Sequence, residues 1–512
     1  MSGRRPPRAL AVLGTAVVAL VCLPLAYLLV RVGGAGPDAW AVLARPRTAG
    51  LLLRTLGLVG AVTAAAVLVG VPAAWLVART DLPGRRAWGI VLALPLVLPS
   101  YVLALALLAV SGPGGLLGVP SLTGFAGALL ALTLATYPYV FLLATAALRR
   151  ADPALEEAAR GLGRTPVQVF RAVTLPLLRP SVGAGALLVA LYSLADFGVV
   201  SLMRYDALTR AVFVQYRTAF DREPAAVLGL VLVTLTVLVV LAEQRVRSRA
   251  WAAGGAAGLA APVALGRGRG PALAFCATLA GAGVVLPIGV LLGWLVRRPP
   301  DPAGIWTAAL NSAGVAVAAA ALTTLAAVPV AVLAARFRSR WTLALERAGY
   351  LANALPGVVI ALALVFFAAR HVPVVYGPLA LLVIAYLVRF FPQALAGVSA
   401  ALARSDPRLE EASRGLGRGP VLTLATVTTP LVAPGLLAGS VLVLLSTLKE
   451  LPATLLLRPI GFDTLATEVW TATSVSRYGD AALPALVLCA LAVPAVAVLV
   501  TRGGRELEEL GA

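Results

Sequence analysis

Thirteen residues are written twice in this chain, and that repetition constrains its fold more than any other feature. Asp152–Arg164 reads DPALEEAARGLGR, Asp406–Arg418 reads DPRLEEASRGLGR, and eleven of the thirteen positions are identical at an offset of 406 − 152 = 254. Nearly half of the 512 residues separate the copies, and each copy occupies the same place in a series of apolar segments. The chain therefore reads as two copies of one unit, related by a pseudo-twofold axis.

The apolar segments decide what kind of unit it is. With 60% hydrophobic and 12% charged residues and a mean hydropathy of +0.94, a soluble globule is excluded, because no core of this size hides so much apolar surface. A run of roughly 20 apolar residues crosses a ~30 Å hydrocarbon layer. About twelve such runs are expected, at 9–30, 51–78, 89–111, 124–148, 181–203, 225–242, 271–296, 308–335, 349–369, 376–402, 433–457 and 481–501. Lipid tolerates no unpaired backbone and barrel strands are half as long, so the fold class is an all-α polytopic membrane protein. The first run follows Arg4, Arg5 and Arg8 like a signal peptide, but it lacks a small-residue cleavage site and continues to Val30, so it is expected to stay as a helix.

The net charge of +20 comes from basic residues scattered through short loops. That is the distribution of topology signals, not of a nucleic-acid footprint. The bias favours both termini and both copies of the repeat in the cytoplasm. Past the sixth run come Glu243–Arg249, a Gly/Ala stretch over 251–264 and alternating Gly and Arg over 266–270, which reads as a flexible linker. The expected units are residues 1–245 and 271–512, joined by 246–270. An even number of spans makes them parallel copies, with a pathway at their interface.

The repeat has readable mechanics. Asp152 can cap a helix that begins at Pro153, with Glu156 and Glu157 near the positive end of its dipole. Gly161 and Gly163 then break or bend the helix. Thr165 and Pro166 can start another, with Gln168 at the reciprocal capping position, and Leu175-Pro176 is expected to close it before the next span. The second copy repeats the design with Asp406, Pro407, Glu410, Glu411, Gly415, Gly417, Gly419 and Pro420. Any interfacial helix could carry caps and glycines, but two copies at matching positions favour a dedicated cytoplasmic elbow.

These residues resemble the cytoplasmic signature of the membrane subunits of binding-protein-dependent ABC transporters: Glu-Ala-Ala, three residues, Gly, nine residues, an aliphatic residue, one more, Leu-Pro. Glu157-Ala158-Ala159, Gly163, Val173 and Leu175-Pro176 fit every spacing. Glu411-Ala412-Ser413, Gly417, Val427 and Thr429-Pro430 fit with Ser413 and Thr429 as departures. The resemblance implies a type I importer permease whose elbows dock on a cytoplasmic ATPase through Glu156, Glu157, Ala158, Gly161, Gly163, Pro176, Glu410, Glu411, Ala412, Gly415, Gly417 and Pro430. It also implies two copies of that ATPase, an extracytoplasmic solute-binding protein, and a plasma or inner-membrane location. The chain itself is then no enzyme. A P-loop needs a lysine after its glycines, and Lys449 is the one lysine of the sequence, so ATP and Mg belong to the partner and no cofactor is expected here.

The segments past each elbow bear on the cargo. Asp196 and Glu450 are equivalent, since 196 + 254 = 450, and each lies about fifteen residues into its expected span, roughly 22 Å up from the cytoplasmic side. Carboxylates at that depth face a cavity or a partner, and a pair on one pathway would suit a hard cation. Structural pairing of Glu450 with neighbouring charges, and of Asp196 with a broken helix before Phe197-Gly198, is the alternative. Lys449 through Pro459, Gly461 through Thr467, and Ala195 through Gly198 resemble the fused permeases of ferric-iron importers, with thiamine, polyamine, phosphonate and sulfate importers as relatives. Asp196, Lys449 and Glu450 are the candidate pathway residues. No fixed metal site is expected: His371 is the single histidine and Cys22, Cys276 and Cys489 are far apart in apolar runs. Prolines 72, 95, 99, 329 and 356 could mark broken helices but are ordinary in membranes, and Arg389 reads as a buried or snorkelling cation. A gradient-driven secondary transporter and a non-transporting receptor or scaffold remain as rivals; the first has no use for an ATPase elbow, the second none for acids equivalently placed in both halves.

Overall fold

A computed structural model of the chain describes residues 6–112, 115–150, 153–218, 223–252, 262–299, 304–375, 377 and 379–509. Among these, ten helices are long and apolar enough to cross a membrane, and two further helix pairs qualify together but are bent, by 89° and 106°. Strand structure among the described residues is limited to two isolated bridges, Thr80 with Val263 and Ser111 with Val119.

Each half is built on a trio of mutually packed helices: Pro46–Arg79, Gly124–Arg150 and Leu175–Ala195 in the first, Ile305–Arg336, Leu379–Arg404 and Thr429–Leu448 in the second. Small residues let them close. A side chain at Gly185 would lie 2.9 Å from the Val140 backbone, and one at Gly397 would lie 2.9 Å from the Gly439 backbone. The first helix of each half packs on the other half, Arg8–Gly33 against Ile305–Arg336 and Leu286–Arg297 against Ser100–Val110. Matching hydrogen bonds fasten the crossing. Tyr27 donates to the Phe366 carbonyl at 3.3 Å and Trp294 to the Ala109 carbonyl at 3.0 Å.

Four of the expected spans are not straight. Residues 89–111 and 349–369 break at Pro99 and Pro356, which are extended (ψ 138° and 145°) between Arg85–Leu96 and Ser100–Val110 and between Arg340–Ala354 and Gly357–His371. Proline gives no N–H and clashes with the preceding turn, so the helix restarts after it at a new angle. Residues 181–203 and 433–457 are likewise interrupted, at Asp196 and at Lys449–Leu451, and short helices Gly198–Leu202 and Pro452–Leu457 follow.

Contrary to the expectation, Leu175-Pro176 does not close a helix before the next span, and Pro430 in the second copy does not either. A π-helical turn, Phe170–Thr174 and Leu424–Thr428, leads straight into Leu175–Ala195 and Thr429–Leu448. Each proline sits in the first turn of the long helix, and the wider turn before it absorbs the missing N–H. Within the expected linker 246–270 the chain is helical to Ala252 and again from Gly266. The core of the Gly/Ala stretch, 253–261, lies outside the described residues, as does Asp152.

Candidate coupling elbows and translocation cavity

The elbow helices are Pro153–Gly161 and Pro407–Gly415. Asp406 caps the second by accepting the Arg408 N–H at 2.9 Å. Both end alike. In the first, Arg164 N–H reaches the Ala159 carbonyl and Gly163 N–H the Arg160 carbonyl; in the second, Arg418 reaches Ser413 and Gly417 reaches Arg414. That closure puts the penultimate residue in the left-handed region, and Gly163 (φ 79°) and Gly417 (φ 82°) supply it. Thr165 and Gln168 exchange the expected reciprocal bonds, at 2.9 and 3.4 Å.

The paired glutamates divide their labour. Glu156 is buried, accepting Arg79 at 2.5 Å and Thr174 at 2.8 Å, with Arg160 at 3.5 Å. Glu410 is buried against Arg336 at 2.9 Å, with Arg414 at 3.4 Å. Each inner glutamate therefore pins its elbow to the end of the first trio helix. Glu157, Ala158, Gly161 and Gly163, and Glu411, Ala412, Gly415 and Gly417, face outward. Beside them stand Leu155 and Leu162, 51% and 82% exposed, and Leu409 and Leu416, 48% and 83%. An exposed leucine pair on a short helix is what a partner's cleft would cover.

Both candidate carboxylates line one cavity of about 310 Å³, together with Lys449, Arg389, Tyr101 and Tyr192. Their local geometry repeats. Asp196 Oδ1 accepts the Val199 N–H at 2.9 Å and Glu450 Oε1 accepts the Ala453 N–H at 3.2 Å, each capping the short helix that restarts the span. The halves differ around them. Ser100 donates to Asp196 Oδ2 at 2.7 Å; its counterpart by the 257-residue offset of this region is Gly357, and a side chain there would lie 2.5 Å from Glu450 Oε1. The longer carboxylate occupies the space that the serine fills.

Lys449 and Arg389 serve the two bends. Lys449 Nζ donates to the Leu96 carbonyl at 2.9 Å and Arg389 Nη1 to the Leu355 carbonyl at 2.7 Å, acceptors that the prolines following them leave without helical partners. The cavity thus holds two acids and two bases. The long helix bearing Asp196 starts at Phe170, eleven residues before the expected 181, so the carboxylate lies farther along it than the sequence suggests. Among the described residues no three His, Cys, Asp or Glu side chains come together.

Phe197 forms one wall of this chamber. Its ring lies 4.6 Å from Phe213 and 5.2 Å from Trp470, centroid to centroid, and all three line a second cavity of about 590 Å³ on the far side. Phe213 and Trp470 are equivalent positions, since 213 + 257 = 470.

Sequence reasoning gave no site role to Arg79, Arg336, Ser100 or Phe197. The signal for the bends was present: Leu98-Pro99 and Leu355-Pro356 open matching apolar stretches at an offset of 257. Arg79 and Arg336 end their helices at the same offset.

Residues 43–251 and 327–505 match the family described as binding-protein-dependent transport system inner membrane component. The chain is 32% identical over 496 residues, 95% of its length and 96% of the relative's, to the Fe(3+)-transport system permease protein FbpB 2 of Haemophilus influenzae. It is 33% identical over 237 residues to the molybdenum transport system permease protein ModB of Mycobacterium tuberculosis, covering 44% of this chain and 88% of that one. The putative 2-aminoethylphosphonate transport system permease protein PhnV of Salmonella typhimurium is 27% identical over 207 residues, 40% of this chain and 77% of that one.

Proposed function

Since the chain belongs to the family of binding-protein-dependent transport system inner membrane components and is an ABC permease subunit, we propose that it carries ferric iron inward through the chamber between Asp196 and Glu450. Similarity to the Fe(3+)-transport permease along 95% of the chain carries the choice of iron, and two carboxylates capping equivalent breaks around one chamber support it. Molybdenum, taken here as molybdate, and 2-aminoethylphosphonate are the competing cargo classes, since permeases named for molybdenum and 2-aminoethylphosphonate transport each match a little under half of the chain.

The rest of the machine follows from the elbows. Two copies of a cytoplasmic ATPase grip the outward faces of Pro153–Gly161 and Pro407–Gly415, with Leu155, Leu162, Leu409 and Leu416 as anchors. Both termini lie on that cytoplasmic side, and residues 1–245 and 271–512 are the two functional halves. Closure of the ATPases draws the elbows together, and a binding protein delivers the cargo at the opposite mouth. Uptake of labelled iron by the reconstituted complex of permease, ATPase and binding protein tests the reading. Asp196→Asn with Glu450→Gln keeps the capping acceptors but removes both charges, and uptake is expected to fall about tenfold or more while the ATPase stays bound. Normal uptake by that variant removes the carboxylates from the pathway, and molybdate uptake in place of iron replaces the cargo.

A further inference from the structure

The second cavity, beyond Phe197, carries an excess of positive charge. Among the described residues its charged lining is Arg204 and Arg210, with serines, threonines and aromatic rings and no acid. The equivalent region of the second half shows how that excess charge arises. There Arg458 is paired with Asp463, and Asn311 donates to the Asp463 carbonyl at 2.9 Å while Thr467 donates to its carboxylate. In the first half the corresponding aspartate is Asp206, but Arg54 and Arg210 stand where Asn311 and Thr467 do, at the 257-residue offset, and they take it: Arg54 at 3.5 Å and Arg210 in direct contact. Arg204, the counterpart of Arg458 (204 + 254 = 458), has no ion pair among the described residues. Two arginines share Asp206, and Arg204 stands beside them without a carboxylate of its own.

The backbone points the same way. Among the described residues two that are not glycine have positive φ, Arg204 at 55° and Ser476 at 60°, and both line this cavity. Each ends a helix in the closure seen at the elbows. Tyr205 N–H reaches the Val200 carbonyl and Arg204 N–H the Ser201 carbonyl, and Arg477 reaches Ala472 while Ser476 reaches Thr473. That position favours glycine, as at Gly163 and Gly417. A guanidinium and a hydroxyl held there, at a conformational cost, mark a site. Ser201 Oγ, also in the lining, is buried without a hydrogen-bond partner.

We propose that this cavity is a binding site for an oxyanion or polycarboxylate, with Arg204 as the principal ligand, Arg210 and Ser476 beside it, and Phe197 as its floor. A planar guanidinium with free donors recognises carboxylate or phosphate oxygens in bidentate fashion, whereas a bare trivalent cation is repelled here. For the metal, the inference rests on the iron reading above: ferric iron reaches the chamber as a negatively charged complex with oxygen ligands.

Trp294 and Trp470 line the cavity, so tryptophan fluorescence of the purified permease–ATPase complex reports occupancy. Citrate, ferric citrate and molybdate are titrated into the wild type, Arg204→Gly and Asp196→Asn. Arg204→Gly relieves the left-handed backbone, so it is expected to fold at least as well as the wild type while binding citrate about tenfold more weakly. Asp196→Asn is expected to bind as the wild type does. Tightest binding of ferric citrate supports the site and the iron cargo together. Tightest binding of molybdate supports the site and discards iron. A wild type that responds to none of the three, or an Arg204→Gly variant with unchanged affinity, overturns the proposal.

Discussion

Arg79 and Arg336 hold the two elbows by the same ion pair, yet their surroundings differ. Arg79 leaves 6% of its side chain exposed and has Glu156 as its partner. Arg336 leaves 14% exposed and also donates to the carbonyl and hydroxyl of Ser405, at 3.4 and 3.3 Å. The duplicated sequence thus encodes one anchor with no reserve and one with a second hold. Repetition of a motif does not make its copies energetically equal; the flanking residues that were not repeated decide how much each copy carries.

The largest expected effect breaks that pair of anchors. Glu156→Ala strands a buried guanidinium, a loss of about 3–5 kcal/mol. Glu410→Ala leaves Arg336 its Ser405 bonds and some water, a smaller loss of about 1–3 kcal/mol. Thermal unfolding of the two purified variants, with the amount of ATPase that copurifies, measures both. Equal losses would mean that the Ser405 contacts contribute nothing and the elbows are equivalent after all.

The breaks at Asp196 and Glu450 give the next contrast. In one half a short acid meets Ser100; in the other a long acid meets Gly357. Gly357→Ser drives a side chain into Glu450 and is expected to cost about 1–3 kcal/mol, with iron uptake falling accordingly. Adding Glu450→Asp recreates the arrangement of the first half and is expected to recover most of the loss, because residues in contact are not additive. Ser100→Gly, by contrast, removes a donor and opens space, so Asp196→Glu should be tolerated better in that background than alone. A double variant no better than Gly357→Ser would show that the two pairs are not interchangeable solutions.

Within each elbow two glycines invite the same treatment and should answer differently. Gly163→Ala and Gly417→Ala each force a side chain into the left-handed region, at about 1–2 kcal/mol. Gly161 and Gly415 are helical with open space around them, so alanine there is expected to be neutral or to gain about 0.5–1 kcal/mol. Stability of the permease alone separates these cases. If Gly161→Ala keeps stability but loses the ATPase, that glycine marks close approach of the partner to the helix.

These contrasts also show what a single sequence discloses. The elbows were legible because helix caps and glycine closures are local, and Thr165, Gln168, Gly163 and Gly417 do what their spacing foretells. The equivalence of Asp196 and Glu450 was legible because duplication carries register through the chain. What lay hidden depends on contacts across it. Glu156 and Glu157 look alike in sequence, and only the helix face turned to Arg79 separates the pinned residue from the exposed one. The bends at Pro99 and Pro356 were only half legible: the two prolines open matching apolar stretches, but proline is common in membrane helices, and the Lys449 and Arg389 side chains that occupy the freed carbonyls come from other helices.

The smallest effect concerns a tie that one half has and the other lacks. Asp81, just past the first trio helix, accepts the Leu265 N–H at 2.8 Å and pairs with Arg269, fastening the start of the second half to the first. Beside it Thr80 bridges to Val263. The matching position in the second half by the 257-residue offset is Arg338, which cannot accept these donors. The hydrogen bond from Arg269, and then that from Leu265, hold the Asp81 carboxyl below its ordinary range. A carboxylate with a lowered folded value adds stability that is fully present above the unfolded value, about 3.9, and disappears as pH falls through the folded one. Asp81→Asn should therefore lower the unfolding temperature slightly and by a constant amount from pH 8 to pH 5, and the gap to the wild type should close below about pH 4. The pair is exposed and screened, so raising the salt should shrink the gap as well. No gap at any pH would mean that the tie is held by the Thr80–Val263 backbone contact and owes nothing to the charge on Asp81.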